Sequence, residues 1–86
     1  MGHTHFGYRI ENGKAVTDES AAAQVRDLYK HYLSGLSLTN AAKEAGLDLL
    51  HAGAKRMMLN RHYLGDDFYP AIIDPASFDA VSAELT

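Results

Sequence analysis

Between Tyr32 and Gly65 the chain reads YLSGLSLTNAAKEAGLDLLHAGAKRMMLNRHYLG, and its glycines and caps leave few foldings open. Gly35 supplies the left-handed residue that ends one helix. Ser37 is a cap for the next, Leu38–Ala45, whose small residues Ala41, Ala42 and Ala45 let a neighbouring helix approach closely. Gly46 ends that helix, and Leu47 returns to the core. The spacing predicts a third helix from about Leu49 to Asn60. Leu50, Ala54, Met57 and Met58 are its expected buried stripe, with His51, Ala52, Lys55, Arg56 and Leu59 on the opposite side. Gly53 weakens this helix by up to ~1 kcal/mol relative to alanine. The order of helix end, tight turn, short helix, glycine turn and second helix is that of a helix-turn-helix.

The flanks complete the plan. Phe6–Ile10 and Ala15–Val16 enclose Glu11-Asn12-Gly13-Lys14, and Asn-Gly at the centre predicts a tight β-hairpin turn. Asp18 is a plausible N-cap for a long first helix. Ala21, Val25, Leu28, Tyr29, Tyr32 and Leu33 fall on one face of it, so the two tyrosines read as core rather than as base-stacking platforms. Past Gly65, a strand is expected near Asp67–Tyr69 or Ala71–Ile73, interrupted by Pro70 and able to pair with the hairpin. Asp74-Pro75 then starts a last helix with Phe78, Val81 and Leu85 as its stripe. The expected fold class is therefore mainly α (α+β). It is a bundle of about four helices containing the helix-turn-helix, with a small β-hairpin or sheet, in a single domain over residues 1–86 whose residues 1–5 are flexible.

With 86 residues and no cysteine, the fold rests on a small packed core, without disulfides or thiolate zinc sites. No apolar run approaches the roughly 18–20 residues of a membrane span. The first residues carry no secretory pattern, so a cytoplasmic protein with no membrane partner is expected. Net charge is −3, which argues against avid nucleic-acid binding, but the charge is unevenly spread. Residues 1–38 balance four bases against four acids. Residues 39–62 carry Lys43, Lys55, Arg56 and Arg61 against Glu44 and Asp48, a net +2. Residues 63–86 hold five acids and no base.

No catalytic pattern stands out. His3-Thr4-His5 offers two of the three or four ligands a zinc site normally needs. His31, His51 and His62 are scattered without an evident acidic partner, and Asp66-Asp67 reads as a solvated turn rather than a cation site. No serine lies in a nucleophile elbow, and neither the phosphate-binding loop nor the dinucleotide fingerprint occurs. The expectation is a non-enzyme with no metal and no cofactor. The basic segment is the better candidate. Lys55 and His51 lie one turn apart on the outer side of the third helix, with Arg56 adjacent and Arg61 at its end. Arginine and lysine bind phosphates or the acceptor edge of guanine. Thr39 and Asn40 are placed to meet phosphate together with the free N–H groups that open the second helix. The same residues also fit an ordinary solvated face.

Several pieces, in order, resemble the recombinase domain of large serine recombinases, the DNA-binding module that follows their catalytic domain. They are Phe6-Gly7-Tyr8-Arg9-Ile10 with Glu11-Asn12-Gly13-Lys14; Tyr32-Leu33-Ser34-Gly35-Leu36-Ser37-Leu38; Ala41-Ala42-Lys43-Glu44-Ala45-Gly46; Lys55-Arg56-Met57-Met58-Leu59-Asn60; Tyr63-Leu64-Gly65; and Ile72-Ile73-Asp74-Pro75 leading to Phe78. The resemblance implies a helical double-stranded-DNA-binding domain that acts in DNA recombination or on a mobile element, with nothing corresponding to the catalytic serine. The chain departs from the family in three places. The connection between its central helices and the loop after Gly65 are both short, and Asn60-Arg61 stands where Asn-Pro is expected. Modest DNA affinity is the consequence. The net negative charge keeps a second class open: a protein-interaction module on the same fold that has lost DNA binding, with a recombinase or another protein as partner.

Overall fold

The computed structural model describes residues 4–85; residues 1–3, which include His3 and part of the stretch expected to be flexible, lie outside the described residues. The hairpin is present. Strands β1 (Tyr8–Glu11) and β2 (Lys14–Thr17) pair antiparallel, from Tyr8 opposite Thr17 to Glu11 opposite Lys14. Asn12 and Gly13 take φ of 53° and 77°, the two left-handed residues of a type I′ turn. The first strand begins later than expected because Gly7, at φ 103°, turns the chain before it. A Cβ on Gly7 would sit 2.9 Å from Ile72 Cδ1, so this turn is packed as well as bent.

Helix α1 (Glu19–Leu33) starts where Asp18 accepts a hydrogen bond from the Ala21 N–H at 3.3 Å. It buries Ala22, Val25, Leu28 and Tyr29. Leu33, expected on that stripe, is 43% exposed; it lies on the stripe's edge in the last turn and borders shallow surface grooves instead of the core. The helix closes as its sequence requires: Gly35 has φ 114°, and the Leu36 N–H reaches back to the His31 carbonyl at 3.2 Å. Helix α2 (Leu38–Glu44) repeats the ending. Gly46 has φ 81°, and the Leu47 N–H bonds to the Ala42 carbonyl at 2.8 Å.

Helix α3 is shorter than its pattern suggested, His51–Met58 rather than Leu49–Asn60. Leu50 is its extended N-cap residue, with φ −82° and ψ 173°. That backbone takes Leu50 out of the helical line and leaves it 81% exposed rather than buried, while Leu49 packs against the edge of the core. At the other end Asn60 has left the helix. Its Oδ1 accepts the His62 N–H at 3.1 Å and caps a 3₁₀ turn, Arg61–Leu64.

No third strand forms among the described residues. Asp66 Oδ1 accepts the N–H groups of Phe68 and Tyr69 at 2.9 and 2.7 Å, and the Tyr63 carbonyl accepts both Ile72 and Ile73 N–H groups at 2.8 and 2.9 Å. Pro70 has no donor to offer a sheet, so turns satisfy this segment's backbone. Helix α4 (Pro75–Leu85) then starts on Asp74, whose carboxylate accepts the Ser77 N–H at 3.0 Å and its hydroxyl at 2.8 Å.

α1 lies at the centre, against α2 and α4, and α3 bridges α2 and α4. The core joins Val25 and Leu28 of α1 to Ala41, Ala54, Met58, Phe78 and Val81. The described residues thus form a small α+β fold of four helices and a two-stranded sheet. Three tyrosines bring hydroxyls to its boundary, each with a carbonyl acceptor. Tyr29 donates to Met58 at 2.5 Å, Tyr63 to Phe6 at 2.7 Å and Tyr8 to Pro70 at 2.6 Å. Burial raises all three above the ordinary phenol range, Tyr8 to about 12. They donate these bonds at any physiological pH.

Candidate nucleic-acid interface

The basic segment occupies α2, α3 and the 3₁₀ turn, and its side chains point outward. Thr39, Asn40 and Lys43 of α2, His51 and Arg56 of α3, and Arg61 of the turn are exposed; Lys55 is half-buried. The connection between α2 and α3 covers residues 45–50, longer than the roughly three or four residues of a helix-turn-helix turn. The start of α2 offers less than its sequence suggested. Ser37 Oγ accepts the Asn40 N–H at 3.2 Å and its carbonyl accepts that of Ala41 at 2.7 Å, so at most the first two N–H groups remain for an anion.

Of the bases outside residues 39–62, the two arginines are ion-paired, whereas Lys14 and Lys30 have no carboxylate within salt-bridge distance among the described residues. Arg9 meets Glu11 at 2.7 Å, and Arg26 meets Glu19 at 3.8 Å. Among the described residues, none of Lys43, Lys55, Arg56 and Arg61 has a carboxylate within salt-bridge distance. Their charge is left for solvent or a ligand. Arg61 rests its guanidinium 5.6 Å from the Phe78 ring centre, which limits its swing.

Two of the expected residues share a surface feature. A groove of about 890 Å³ runs between α3, the 3₁₀ turn and the segment before β1, and Arg56 and Arg61 both line it. Lys43, Lys55, His51, Thr39 and Asn40 are not on its walls. Beside the arginines the groove holds residues that composition did not single out. His62 Nδ1 lies 2.6 Å from Asp66 Oδ2, an acidic partner four residues along, past the end of the 3₁₀ turn, that the sequence reading missed; the four-residue spacing was the available signal. His5 stacks on His62 with ring centres 4.4 Å apart, and both rings meet Tyr69. The Asn60 side chain bonds to His5 Nδ1 at 3.2 Å.

The electrostatics follow from these contacts. The Tyr69 N–H, then His62, then the Phe68 N–H hold the Asp66 carboxyl down to about 2. Burial and the neighbouring His62 lower His5, against an opposing pull from Asp66. Asp66 is therefore an ionised part of a closed turn, not an open cation ligand. No group of three or more potential metal ligands occurs among the described residues, and no helix among them is long and apolar enough to cross a membrane. Comparisons with protein-family models, with curated proteins and with solved structures found no match to this chain.

Proposed function

We propose that this chain is a DNA-binding module of the helix-turn-helix kind, similar to the recombinase domain of large serine recombinases and non-catalytic by itself. One observation carries the reading: residues 39–62 hold the chain's net positive segment, and none of its four bases has a carboxylate within salt-bridge distance among the described residues. In this reading α3 enters the major groove. His51 and Lys55 face base edges, and Lys43, Arg56 and Arg61, with Thr39 and Asn40, meet phosphates. The setting that goes with it is DNA recombination or the regulation of a mobile element.

About three to five phosphate contacts should make affinity fall roughly 40- to 500-fold between 50 and 200 mM salt. Fluorescence anisotropy with labelled duplexes tests this. Salt-sensitive binding that Lys55→Glu with Arg56→Glu abolishes supports it. Absence of such binding to any duplex at 50 mM salt, or binding indifferent to that double variant, rejects it.

A second reading has its own observation. Leu50, 81% exposed at the head of α3, is an apolar side chain with no internal role. A protein-interaction module would use it, alongside a net charge of −3. Loss of partner binding on Leu50→Ser, with duplex binding absent, would favour that class.

A further inference from the structure

The groove between α3 and the 3₁₀ turn is lined by residues of two characters. Arg56 and Arg61 are cationic, neither with a carboxylate within salt-bridge distance among the described residues. Met57, Leu59, Leu64 and Phe6, which is 39% exposed, are apolar. Phe6 is not loose. The Tyr63 hydroxyl donates to its carbonyl at 2.7 Å, and Gly7 behind it packs on Ile72, so its backbone is held in place beside the groove while its side chain stays partly exposed. Asp66 also lines the groove, as its one acidic residue. Both of its oxygens are engaged, Oδ2 with His62 and Oδ1 with two backbone N–H groups. The groove's volume, about 890 Å³, lies in the range of small-ligand sites.

A ligand matching both characters carries an anionic group and a flat, weakly hydrated ring a few ångströms apart. Duplex DNA offers only the first, because its base faces are covered by stacking. We propose that this groove binds a nucleotide unit of single-stranded DNA, with the phosphate drawn to Arg56 and to Arg61, whose guanidinium would turn from Phe78 to reach it, and the unstacked base against Phe6 and the apolar lining. Aromatic side chains beside a cationic groove are the general means of holding single strands, and they need no sequence preference. The proposal rests on the nucleic-acid reading above and shares Arg56 and Arg61 with it, but it adds Phe6, Leu59 and Leu64, which have no part in duplex contact.

The test is an NMR titration of the ¹⁵N-labelled protein with an oligothymidylate of eight residues, with dTMP, with thymidine and with inorganic phosphate, beside anisotropy on the same oligothymidylate and on a duplex. The oligothymidylate should shift Phe6, Arg56, Leu59 and His62 amides, and dTMP the same set more weakly. Phosphate alone should reach only the arginine side. Phe6→Ala should weaken oligothymidylate binding about fivefold or more and leave duplex affinity unchanged. Oligothymidylate shifts confined to other faces, or dTMP no tighter than phosphate, overturn the groove even if duplex binding stands. Groove shifts without duplex binding uphold it while the duplex reading falls. The wild-type titration decides the matter even if Phe6→Ala does not fold.

Discussion

Helices α1 and α3 sit in the same core and are held there in different ways. α1 has an aspartate cap, fifteen residues and a buried row from Ala22 to Tyr29. α3 has eight residues, no side-chain cap, a glycine in its interior and a largely exposed leucine at its head; only Ala54 and Met58 are buried. A helix of eight residues with those faults is unstable alone. It forms because those two side chains pack it against α2 and α4, and the Tyr29 hydroxyl of α1 bonds the carbonyl of Met58. The lesson is a division of labour. α1 is specified by its own sequence, and α3 by its surroundings, which leaves most of α3's surface unconstrained by folding and open to a ligand.

The contrast can be broken most directly by truncating one leucine in each. Leu28→Ala, at a fully buried position, should cost about 2–5 kcal/mol, enough to unfold much of so small a domain. Leu50→Ala should change stability by less than about 0.5 kcal/mol. Urea denaturation measures both, and equal losses would mean that Leu50 is packed. Exchanging the caps comes next. Asp18→Ala should cost about 1 kcal/mol, whereas Leu50→Asp, which supplies the cap α3 lacks on a backbone already extended, should gain about 0.5–1 kcal/mol. A loss on Leu50→Asp would contradict the view that α3 begins uncapped.

Gly53→Ala sharpens the point with a smaller effect. A Cβ there meets Leu49 Cδ2 at an ordinary 3.6 Å, so the substitution should raise stability by roughly 0.4–1 kcal/mol. An unchanged melting temperature would show that something other than packing requires the glycine. The smallest effect concerns pH. Asp66 is depressed to about 2 from an ordinary 3.8, so what its ionised form contributes is complete above 3.8 and fades as pH falls through 2. Carbon-detected NMR should place its titration near 2, with the amides of Phe68 and Tyr69 moving and those of α1 still. A midpoint near 3.8 would mean that the turn is open in solution.

The legible and illegible parts of the fold divide along the same line. Asn12-Gly13, Asp18, Gly35, Ser37, Gly46 and Asp74-Pro75 act through bonds two to five residues away, and each sits where its chemistry predicts. Leu33 and Leu50 carry the right periodicity, but exposure depends on which neighbours reach them, and periodicity holds no record of that. The expected strand near Tyr69 failed for a related reason: its aromatic and β-branched residues suit a sheet, but Asp66 and the Tyr63 carbonyl claim the donors first. At the candidate site the exposed bases of residues 39–62 were readable from charge alone. The grouping of Arg56 and Arg61 with Phe6 and His62 was not, because it needs residues some fifty positions apart to meet.

Tyr63 makes that long reach a property of how the protein comes into being. Its hydroxyl holds Phe6 and its carbonyl holds Ile72 and Ile73, so one residue ties segments from both sides of the chain. A nascent chain bearing the hairpin, α1 and α2 can cover only part of its core until residues 63–81 have been made. For that interval the early segment depends on its caps and turn residues, or on a chaperone, to stay out of aggregates.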